Sequence, residues 1–172
     1  YYNYLPNMNS KNSLKLYELA SEIINKCRSK KFKISVAESC TGGLIASIIT
    51  SIPGSSDVFE CGFITYSNNS KRKLLNVSQN TLSLYGAVSE EVVIEMISGL
   101  KLHTQSDILL AISGIAGPGG GTKDKPEGLV WISYAFKNNN IKTAKQKYGP
   151  IGRKLVREKS SIESLKYLLS LL

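Results

Sequence analysis

Residues 108–134 read ILLAISGIAGPGGGTKDKPEGLVWISY, two apolar runs joined by fourteen residues that are rich in glycine. The first run, 108–113, is almost continuously apolar, which is typical of a parallel strand buried on both faces. Glycine adopts positive φ without strain and lets the backbone approach a ligand closely. A long loop at the end of a buried strand is commonly a functional loop. A second glycine turn, ESCTGG at 38–43, also follows a short apolar run, so we expect the two turns to build one pocket.

The rest of the chain alternates between helical and strand patterns. Apolar residues recur at helical spacing from Leu16 to Cys27, which predicts an amphipathic helix over about 12–29. Strands are predicted at 32–36, 58–67 and 107–113, and a hairpin at 128–136 and 141–148. Further helices are predicted at 42–51, from an Asn68 cap to 75, from a Ser89 cap to about 102, and around 155–169. This alternation indicates an α/β fold, a three-layer α/β/α sandwich with a mixed β-sheet, whose ligands bind at the carboxyl ends of parallel strands.

The composition predicts one globular domain. The chain has 172 residues, 42% hydrophobic and 20% charged, and its apolar stretches fall short of the roughly 20 residues that span a bilayer. We expect a single domain over 12–172 behind a loosely ordered tail at 1–11, whose first residues lack the pattern of a signal peptide. Three cysteines without CxxC spacing argue against a disulfide framework or a zinc site and fit a reducing cytoplasm. The net charge of +9 comes from scattered lysines, which argues against a nucleic-acid role.

Two candidate nucleophiles, Ser39 and Cys40, lie in the turn between a predicted strand and a predicted helix. A helix N-terminus offers free N–H groups and partial positive charge, which can hold an oxyanion or a phosphate. A serine there can be a nucleophile if a base takes its proton, and a cysteine there can have a lowered pKa. The alternative is that Ser39 or Thr41 only caps the helix. Composition does not choose between these interpretations.

The base is harder to assign, because the chain has one histidine. His103 ends a predicted helix, where a solvated histidine is favourable, so a Ser-His-Asp triad is not expected. Lys71 follows a predicted strand and could act as a base if burial or a neighbouring cation lowered its pKa. Tyr66 could reach the same pocket. The alternatives are a solvated helical lysine and a strand aromatic.

Anion binding is a further possibility that the residues raise. The glycine loop lacks the ending of a P-loop and the GxGxxG that opens a helix, so a backbone nest for an anion and a rigid surface loop both stay open. Arg153 and Arg157 share a face near the start of the last helix. Cations are unfavourable at a helix N-terminus, which indicates either a phosphate or carboxylate partner or an exposed basic surface.

Five motifs then occur in order along the chain: VAESCTGG (36–43), PGSS (53–56) with YSN…K (66–71), GAVSEE (86–91), GIAGPGGGT (114–122) and GLVWI (128–132). Together they resemble the CinA C-terminal domain family, the nicotinamide-nucleotide amidohydrolases, over about residues 12–170. The resemblance implies an α/β/α sandwich that hydrolyses the carboxamide of nicotinamide mononucleotide to nicotinic acid mononucleotide and ammonia, in pyridine nucleotide salvage. It implies no metal and no cofactor.

The same resemblance implies roles for individual residues. Ser39 would be the nucleophile, Lys71 the base, and Tyr66 would orient groups or relay protons. The substrate-binding residues would be Thr41, Gly42 and Gly43 around the oxyanion, Ser113, Gly114, Gly117, Gly119 and Gly120 in the second turn, and Arg153 at the nucleotide phosphate. Ser113 stands where the family usually has threonine, and Gly152 where it usually has an acidic residue.

The resemblance also implies a homo-oligomer, a dimer or larger, and a stand-alone domain without the N-terminal domain of many longer relatives. Two other hypotheses stay open beside the amidohydrolase. One is a catalytically silent nucleotide-binding module, and the other is an accessory protein related to competence or DNA damage.

Overall fold

Helices and strands alternate along the part of the chain that the structure, a computed structural model, describes: residues 10–137 and 139–172. The helices are α1 (Lys11–Lys30), α2 (Leu44–Thr50), α3 (Asn68–Leu75), α4 (Gln79–Tyr85), α5 (Glu90–His103) and α6 (Arg153–Leu169). The strands are β1 (Ile34–Glu38), β2 (Phe59–Ile64), β3 (Ile108–Gly114), β4 (Leu129–Phe136) and β5 (Lys142–Lys147), with a 3₁₀ turn at Ser55–Asp57. Most of the predicted tail, residues 1–9, lies outside the described residues, and α1 already begins at Lys11 behind its N-cap Ser10.

The strands form one mixed sheet in the order β2-β1-β3-β4-β5. β1 pairs in parallel with both β2 and β3, whereas β4 and β5 continue the sheet antiparallel. The apolar run 108–113 accordingly becomes the central strand, and six of the seven residues of β3 are buried. The lysine-rich β5 forms one edge, where charged side chains discourage pairing with another sheet.

Two apolar clusters cover the two faces of the sheet, which confirms the predicted three layers. On one face α1, α2 and α6 pack on side chains such as Val36 and Leu110. On the other face α5 packs on Ala37 and Leu109, and α3 and α4 pack on α5. Successive strand residues point to opposite faces, so the neighbours Val36 and Ala37 reach different clusters.

Local structure differs from the sequence predictions in the bounds of the first two strands, predicted at 32–36 and 58–67 but found at 34–38 and 59–64, and at three further points. The N-cap of α3 is Ser67 and not Asn68, because the Ser67 hydroxyl accepts the N–H of Ser70 while the Ser70 side chain returns to the Ser67 N–H. α2 begins at Leu44, since Gly42 and Gly43 have positive φ and belong to the turn before it. The short helix α4 was not predicted, because its seven residues carry one buried side chain, Leu82, and thus no apolar period.

The parallel strands bring three chain segments to one edge of the sheet. β1, β2 and β3 end at Glu38, Ile64 and Gly114, and their register places Glu38 beside both Ile64 and Ile112. The segments that follow these strands therefore meet at the carboxyl edge, where α/β folds bind ligands.

Candidate active site

A cleft of about 250 Å³ opens at the carboxyl edge of the sheet. Its walls come from the turn after β1, the segment after β2, α3, the connection before α5, the glycine loop after β3, and the start of α6. The lining residues are Ser39, Cys40, Tyr66, Lys71, Ala87, Val88, Ser113, Gly114, Ile115, Ala116, Gly117, Gly119, Gly120 and Arg153. The two glycine-containing segments thus border one cleft, as their positions after β1 and β3 predicted.

Ser39 and Lys71 are in direct contact in this cleft. Lys71 Nζ lies 2.9 Å from Ser39 Oγ and 2.7 Å from the carbonyl oxygen of Thr65, and donates to both as an ammonium. Lys71 is 1% exposed and Ser39 7%. Burial lowers the pKa of Lys71 from 10.5 to about 8, against the smaller opposing influence of the Cys40 thiol. An amine with that pKa is partly uncharged near neutral pH, and in the uncharged form it can accept the Ser39 proton across the same 2.9 Å.

The position of Lys71 follows from how α3 is held. The reciprocal cap at Ser67 and Ser70 begins the helix directly after the chain leaves β2. The C-terminal end of α3 rests on α5 at Gly99, where an added Cβ would come within 2.2 Å of the carbonyl oxygen of Leu75. The alternative of a solvated lysine applies to the neighbours Arg72 and Lys73, which are exposed, and not to Lys71.

Cys40 lines the same cleft but lies in a different environment. Its side chain is 5% exposed, and burial followed by the charge of Glu38 raises the pKa of the thiol to about 12. The expected lowering of a cysteine pKa at a helix N-terminus is therefore outweighed at Cys40, where the backbone amides lower the pKa less than burial and the Glu38 charge raise it. A thiol with this pKa is protonated at neutral pH, and the thiolate is the reactive form.

The turn from Ser39 to Gly43 is held by a carboxylate that sequence reasoning missed. Glu38 is fully buried and accepts the backbone N–H groups of Gly43, Ile45 and Ala46 at 2.9, 3.2 and 2.8 Å. The N–H of Gly42 donates to the carbonyl of Ser39 at 3.0 Å. The N–H groups expected at Gly42 and Gly43 for an oxyanion thus already have acceptors within the chain.

The amides of Cys40 and Thr41, which lie nearer to the nucleophile, differ from these in their hydrogen bonds. Neither the Cys40 N–H nor the Thr41 N–H donates to a backbone carbonyl of the described residues, and both amides act on the Cys40 thiol, whose pKa they lower. Thr41, Gly42 and Gly43 do not line the cleft, whereas Ser39 and Cys40 do. Arg157, from α6, donates from Nε and from an Nη atom to the carbonyl of Thr41 at 3.0 and 2.7 Å, so its guanidinium also holds the turn.

The glycine loop also holds one of the chain's own carboxylates. Glu127 accepts the N–H of Gly119 at 3.0 Å, and an added Cβ on Gly117 would lie 1.9 Å from Glu127 Oε1. Gly117, Gly119 and Gly120 have positive φ, between 74° and 75°. The backbone nest expected for a substrate anion is therefore occupied at Gly119 by Glu127.

Ser113 lies at the base of the cleft, where its hydroxyl donates to the carbonyl of Ala87 at 2.7 Å. That bond ties the end of β3 to the connection before α5, so the hydroxyl proton already has an acceptor within the chain. Lys125 strengthens the same connection, since its ammonium donates to the carbonyls of Tyr85 and Val88.

Tyr66 and Arg153 face each other at the mouth of the cleft. An Nη atom of Arg153 donates to the Tyr66 hydroxyl at 3.2 Å, and Tyr66 is 60% exposed. No hydrogen bond among the described residues joins the Tyr66 hydroxyl to Ser39 or Lys71. The tyrosine therefore lies beside the entrance, and Arg153 presents the one arginine guanidinium among the lining residues. His103 is exposed at the end of α5, where its ring contacts Phe63, and it does not line the cleft.

A pattern in the sequence could have revealed the role of Glu38. Glu38 is a carboxylate at the end of a strand that is otherwise fully buried, and such a group needs hydrogen-bond donors. The next unpaired donors along the chain are the first N–H groups of α2. Glu127 carries no comparable signal, because its partner lies within an irregular loop. Arg157, which the sequence paired with Arg153 as a candidate anion ligand, instead binds the Thr41 carbonyl of the chain itself.

Comparisons with known proteins give the family of the chain. The CinA C-terminal domain family matches residues 16–172. This chain belongs to that family. It is 47% identical to "Nicotinamide-nucleotide amidohydrolase PncC" of Enterobacter agglomerans, over 90% of this chain and 94% of that protein. It is 42% identical to a "CinA-like protein" of Thermosipho melanesiensis, over 91% of this chain but only 40% of that longer protein.

Solved structures show the same fold. The crystal structure of the competence/damage inducible protein CihA from Agrobacterium tumefaciens superposes with a TM-score of 0.89 at 41% identity, over 91% of this chain and 95% of that chain. A CinA superfamily protein from Escherichia coli gives 0.86 at 30% identity, over 98% and 94%. In the described residues, no helix combines the length and hydropathy needed to cross a bilayer.

Proposed function

We propose that this chain is a serine amidohydrolase that converts nicotinamide mononucleotide to nicotinic acid mononucleotide and ammonia. The observation that carries the proposal is the contact between Ser39 Oγ and the buried amine of Lys71, whose pKa is lowered to about 8. The close relative named nicotinamide-nucleotide amidohydrolase supports the choice of substrate.

Ser39 is the nucleophile in this proposal and Cys40 is not. Ser39 has a base at 2.9 Å, whereas the Cys40 thiol is protonated at neutral pH because of burial and the Glu38 charge. Both side chains reach the cleft, so the choice rests on activation. A weak nucleophile requires an adjacent base, and among the described lining residues Lys71 is that base.

In the first half of the reaction, uncharged Lys71 takes the Ser39 proton while Oγ bonds to the carboxamide carbon. The bond from Lys71 to the Thr65 carbonyl holds the amine so that its lone pair faces the serine. The oxyanion that forms on the carboxamide oxygen needs donors, and we assign the amide of Cys40, which lines the cleft, in place of those of Gly42 and Gly43. One such donor typically lowers the activation free energy by about 3–4 kcal/mol.

In the second half, Lys71 gives its proton to the amide nitrogen, the carbon–nitrogen bond breaks, and ammonia leaves. An ester joins the nicotinoyl carbon to Ser39. Water then attacks that carbon and loses a proton to Lys71, and the ester bond to Oγ breaks. Ser39 regains a proton from Lys71, and the carboxylic acid product releases its proton to solvent and leaves as a carboxylate.

Arg153 provides a site for the phosphate of the substrate at the cleft mouth. Its present partner is the neutral Tyr66 hydroxyl, and a phosphate forms stronger, charge-assisted bonds with a guanidinium. Gly119 and Gly120 line the same mouth, although Glu127 already holds the Gly119 amide. Binding the phosphate away from the carboxamide orients the reacting carbon towards Ser39.

Ammonia release from nicotinamide mononucleotide tests the proposal. Wild type should release ammonia, and Ser39→Ala should lower kcat by at least about 10³-fold, the size typical of a lost nucleophile. Cys40→Ala is the matched variant for the rival thiol and should stay within about tenfold of wild type, since it keeps every backbone donor. Wild-type protein that binds the nucleotide without releasing ammonia would support the silent binding module. Activity that survives in Ser39→Ala and is lost in Cys40→Ala would reverse the assignment of the nucleophile.

A further inference from the structure

Glu38 is a fully buried carboxylate directly before the nucleophile, and it takes no part in the proton transfers proposed for Ser39 and Lys71. Its two oxygens accept three backbone N–H groups, from Gly43, Ile45 and Ala46, at 2.8–3.2 Å. Its own backbone carbonyl accepts the N–H of Thr65 at 2.8 Å. The same residue therefore connects the nucleophile turn to the segment whose carbonyl holds Lys71.

A second charged side chain also holds the turn. The Arg157 guanidinium binds the Thr41 carbonyl through two N–H groups, while Glu38 binds the N–H groups that follow the turn. The amides of Cys40 and Thr41 come before both contacts along the chain and have no backbone acceptor among the described residues. A cationic and an anionic side chain thus fix successive parts of the turn, one through a carbonyl and the other through N–H groups.

We propose that Glu38 is a positioning residue that fixes the Ser39 turn and, through its charge, keeps the neighbouring Cys40 an unreactive thiol. The second role follows from electrostatics at the start of α2. Free N–H groups there would favour a thiolate, and the carboxylate seated on them opposes that effect. This inference rests on the proposed function for its effect on turnover but not for its effect on the thiol.

The groups that face Cys40 come from three elements. The Glu38 carboxylate raises the pKa of the thiol, the Lys71 amine and the backbone amides of the turn lower it, and burial raises it most. The Tyr148 hydroxyl, after β5, is the remaining titratable neighbour, and burial raises its pKa as well. Among these groups Glu38 is the acidic side chain, so its removal should have the clearest effect on thiol reactivity.

The test is Glu38→Gln in the full chain, with Glu95→Gln as its matched control. Glu95 is also a carboxylate that binds backbone and hydroxyl donors, the Ser78 N–H at 2.7 Å and the Thr81 hydroxyl at 2.5 Å, but it lies on α5 away from the cleft. Each variant is assayed for ammonia release and for alkylation of Cys40 by iodoacetamide at pH 8. Mass spectrometry of the peptides separates Cys40 from Cys27 and Cys61.

For Glu38→Gln we expect kcat to fall at least tenfold with KM within about threefold of wild type, because the nucleophile moves while the substrate contacts remain. Cys40 alkylation should become at least tenfold faster, as for a thiol whose pKa has dropped by one or more. Glu95→Gln should change neither quantity, even where both variants lose comparable stability.

A second variant, Glu38→Asp, tests the proposal if Glu38→Gln does not fold. Glu38→Asp keeps the negative charge beside Cys40 but withdraws the oxygens by one methylene, so kcat should fall while alkylation stays near the wild-type rate. Alkylation of Cys40 in folded Glu38→Gln at the wild-type rate, or a kcat loss no larger than that of Glu95→Gln, overturns the proposal. So does wild-type kcat in Glu38→Asp. If wild type itself releases no ammonia, the proposed function fails while the alkylation comparison still decides the role of Glu38.

Discussion

Replacing Lys71 by methionine isolates the free-energy cost of burying its amine. Methionine keeps most of the apolar stem of the side chain and removes the titrating group. Burial lowers the pKa of Lys71 from 10.5 to about 8, which corresponds to about 3 kcal/mol at about 1.4 kcal/mol for each pKa unit. Lys71 is 1% exposed, so screening by solvent does not reduce this figure greatly.

The sign of the pH dependence follows from proton binding. Between pH 8 and 10.5 the unfolded chain keeps a proton on this lysine that the folded chain has lost, so the free energy of unfolding of wild type rises with pH. Below pH 8 both states are protonated, and the full cost of about 3 kcal/mol is present. The lysine therefore destabilises the fold at neutral pH, and this destabilisation disappears as the pH rises to 10.5.

The assay is urea unfolding of wild type and Lys71→Met at half-unit steps from pH 7 to 10.5. The wild-type value minus the variant value should rise by about 3 kcal/mol over the upper part of that range, since the hydrogen bonds lost to Ser39 and Thr65 affect the difference equally at each pH. Lys73→Met removes an exposed amine from the same helix and controls for the loss of one positive charge. A difference that stays flat would mean that the folded protein keeps the amine charged up to pH 10, and Lys71 would then be no base at neutral pH.

Further expectations follow from the same contacts. In wild type, kcat for ammonia release should rise with pH with a midpoint near 8, because uncharged Lys71 is the reactive form. Arg153→Ala should raise KM for nicotinamide mononucleotide at least about tenfold while hardly changing the slower hydrolysis of the riboside that lacks the phosphate, since only the former presents an anion to the guanidinium. Gly99→Ala should lower the free energy of unfolding by more than about 3 kcal/mol in urea, because its Cβ would lie 2.2 Å from the Leu75 carbonyl oxygen. Ser67→Ala should cost about 1 kcal/mol in the same measurement, the usual value of an N-cap.

The order of the elements was predictable because their signals are local. The apolar period of α1 and the continuous apolar run of β3 follow from which faces are buried, and the Ser89 cap before two glutamates correctly predicted where α5 begins. The family motifs implied the same layers and mixed sheet, which the structure and its solved relatives confirm. The observed start of a helix differs from the predicted one where a neighbouring residue is the N-cap, as at Ser67. It also differs where glycines with positive φ precede the helix, as at Gly43.

Most residues of the site were predictable from the sequence, but their hydrogen bonds and burial were not. Strand ends pointed to Ser39 and the glycine loop, and the family motif pointed to Lys71, but composition alone left Lys71 among exposed cations. Its burial depends on the contact between Gly99 and the end of α3, which joins residues far apart in sequence. The oligomeric state, the range 12–172 as an independent unit and the catalytic roles stay predictions.

Both places that the sequence suggested for an anion, the start of α2 and the glycine loop, hold carboxylates of the chain itself. If the first N–H groups of α2 had no acceptor, they would lower the pKa of the Cys40 thiol. The chain would then have a second reactive group directly after Ser39. An open nest at Gly119 would bind phosphate or sulfate without regard to the rest of the ligand. With Glu38 and Glu127 seated there, the charged donors that face the cleft are Lys71 and Arg153, at its base and at its mouth. In the proposed function, the carboxamide of the nucleotide would lie at Ser39 and Lys71 and its phosphate at Arg153, so one ligand would meet both charged donors.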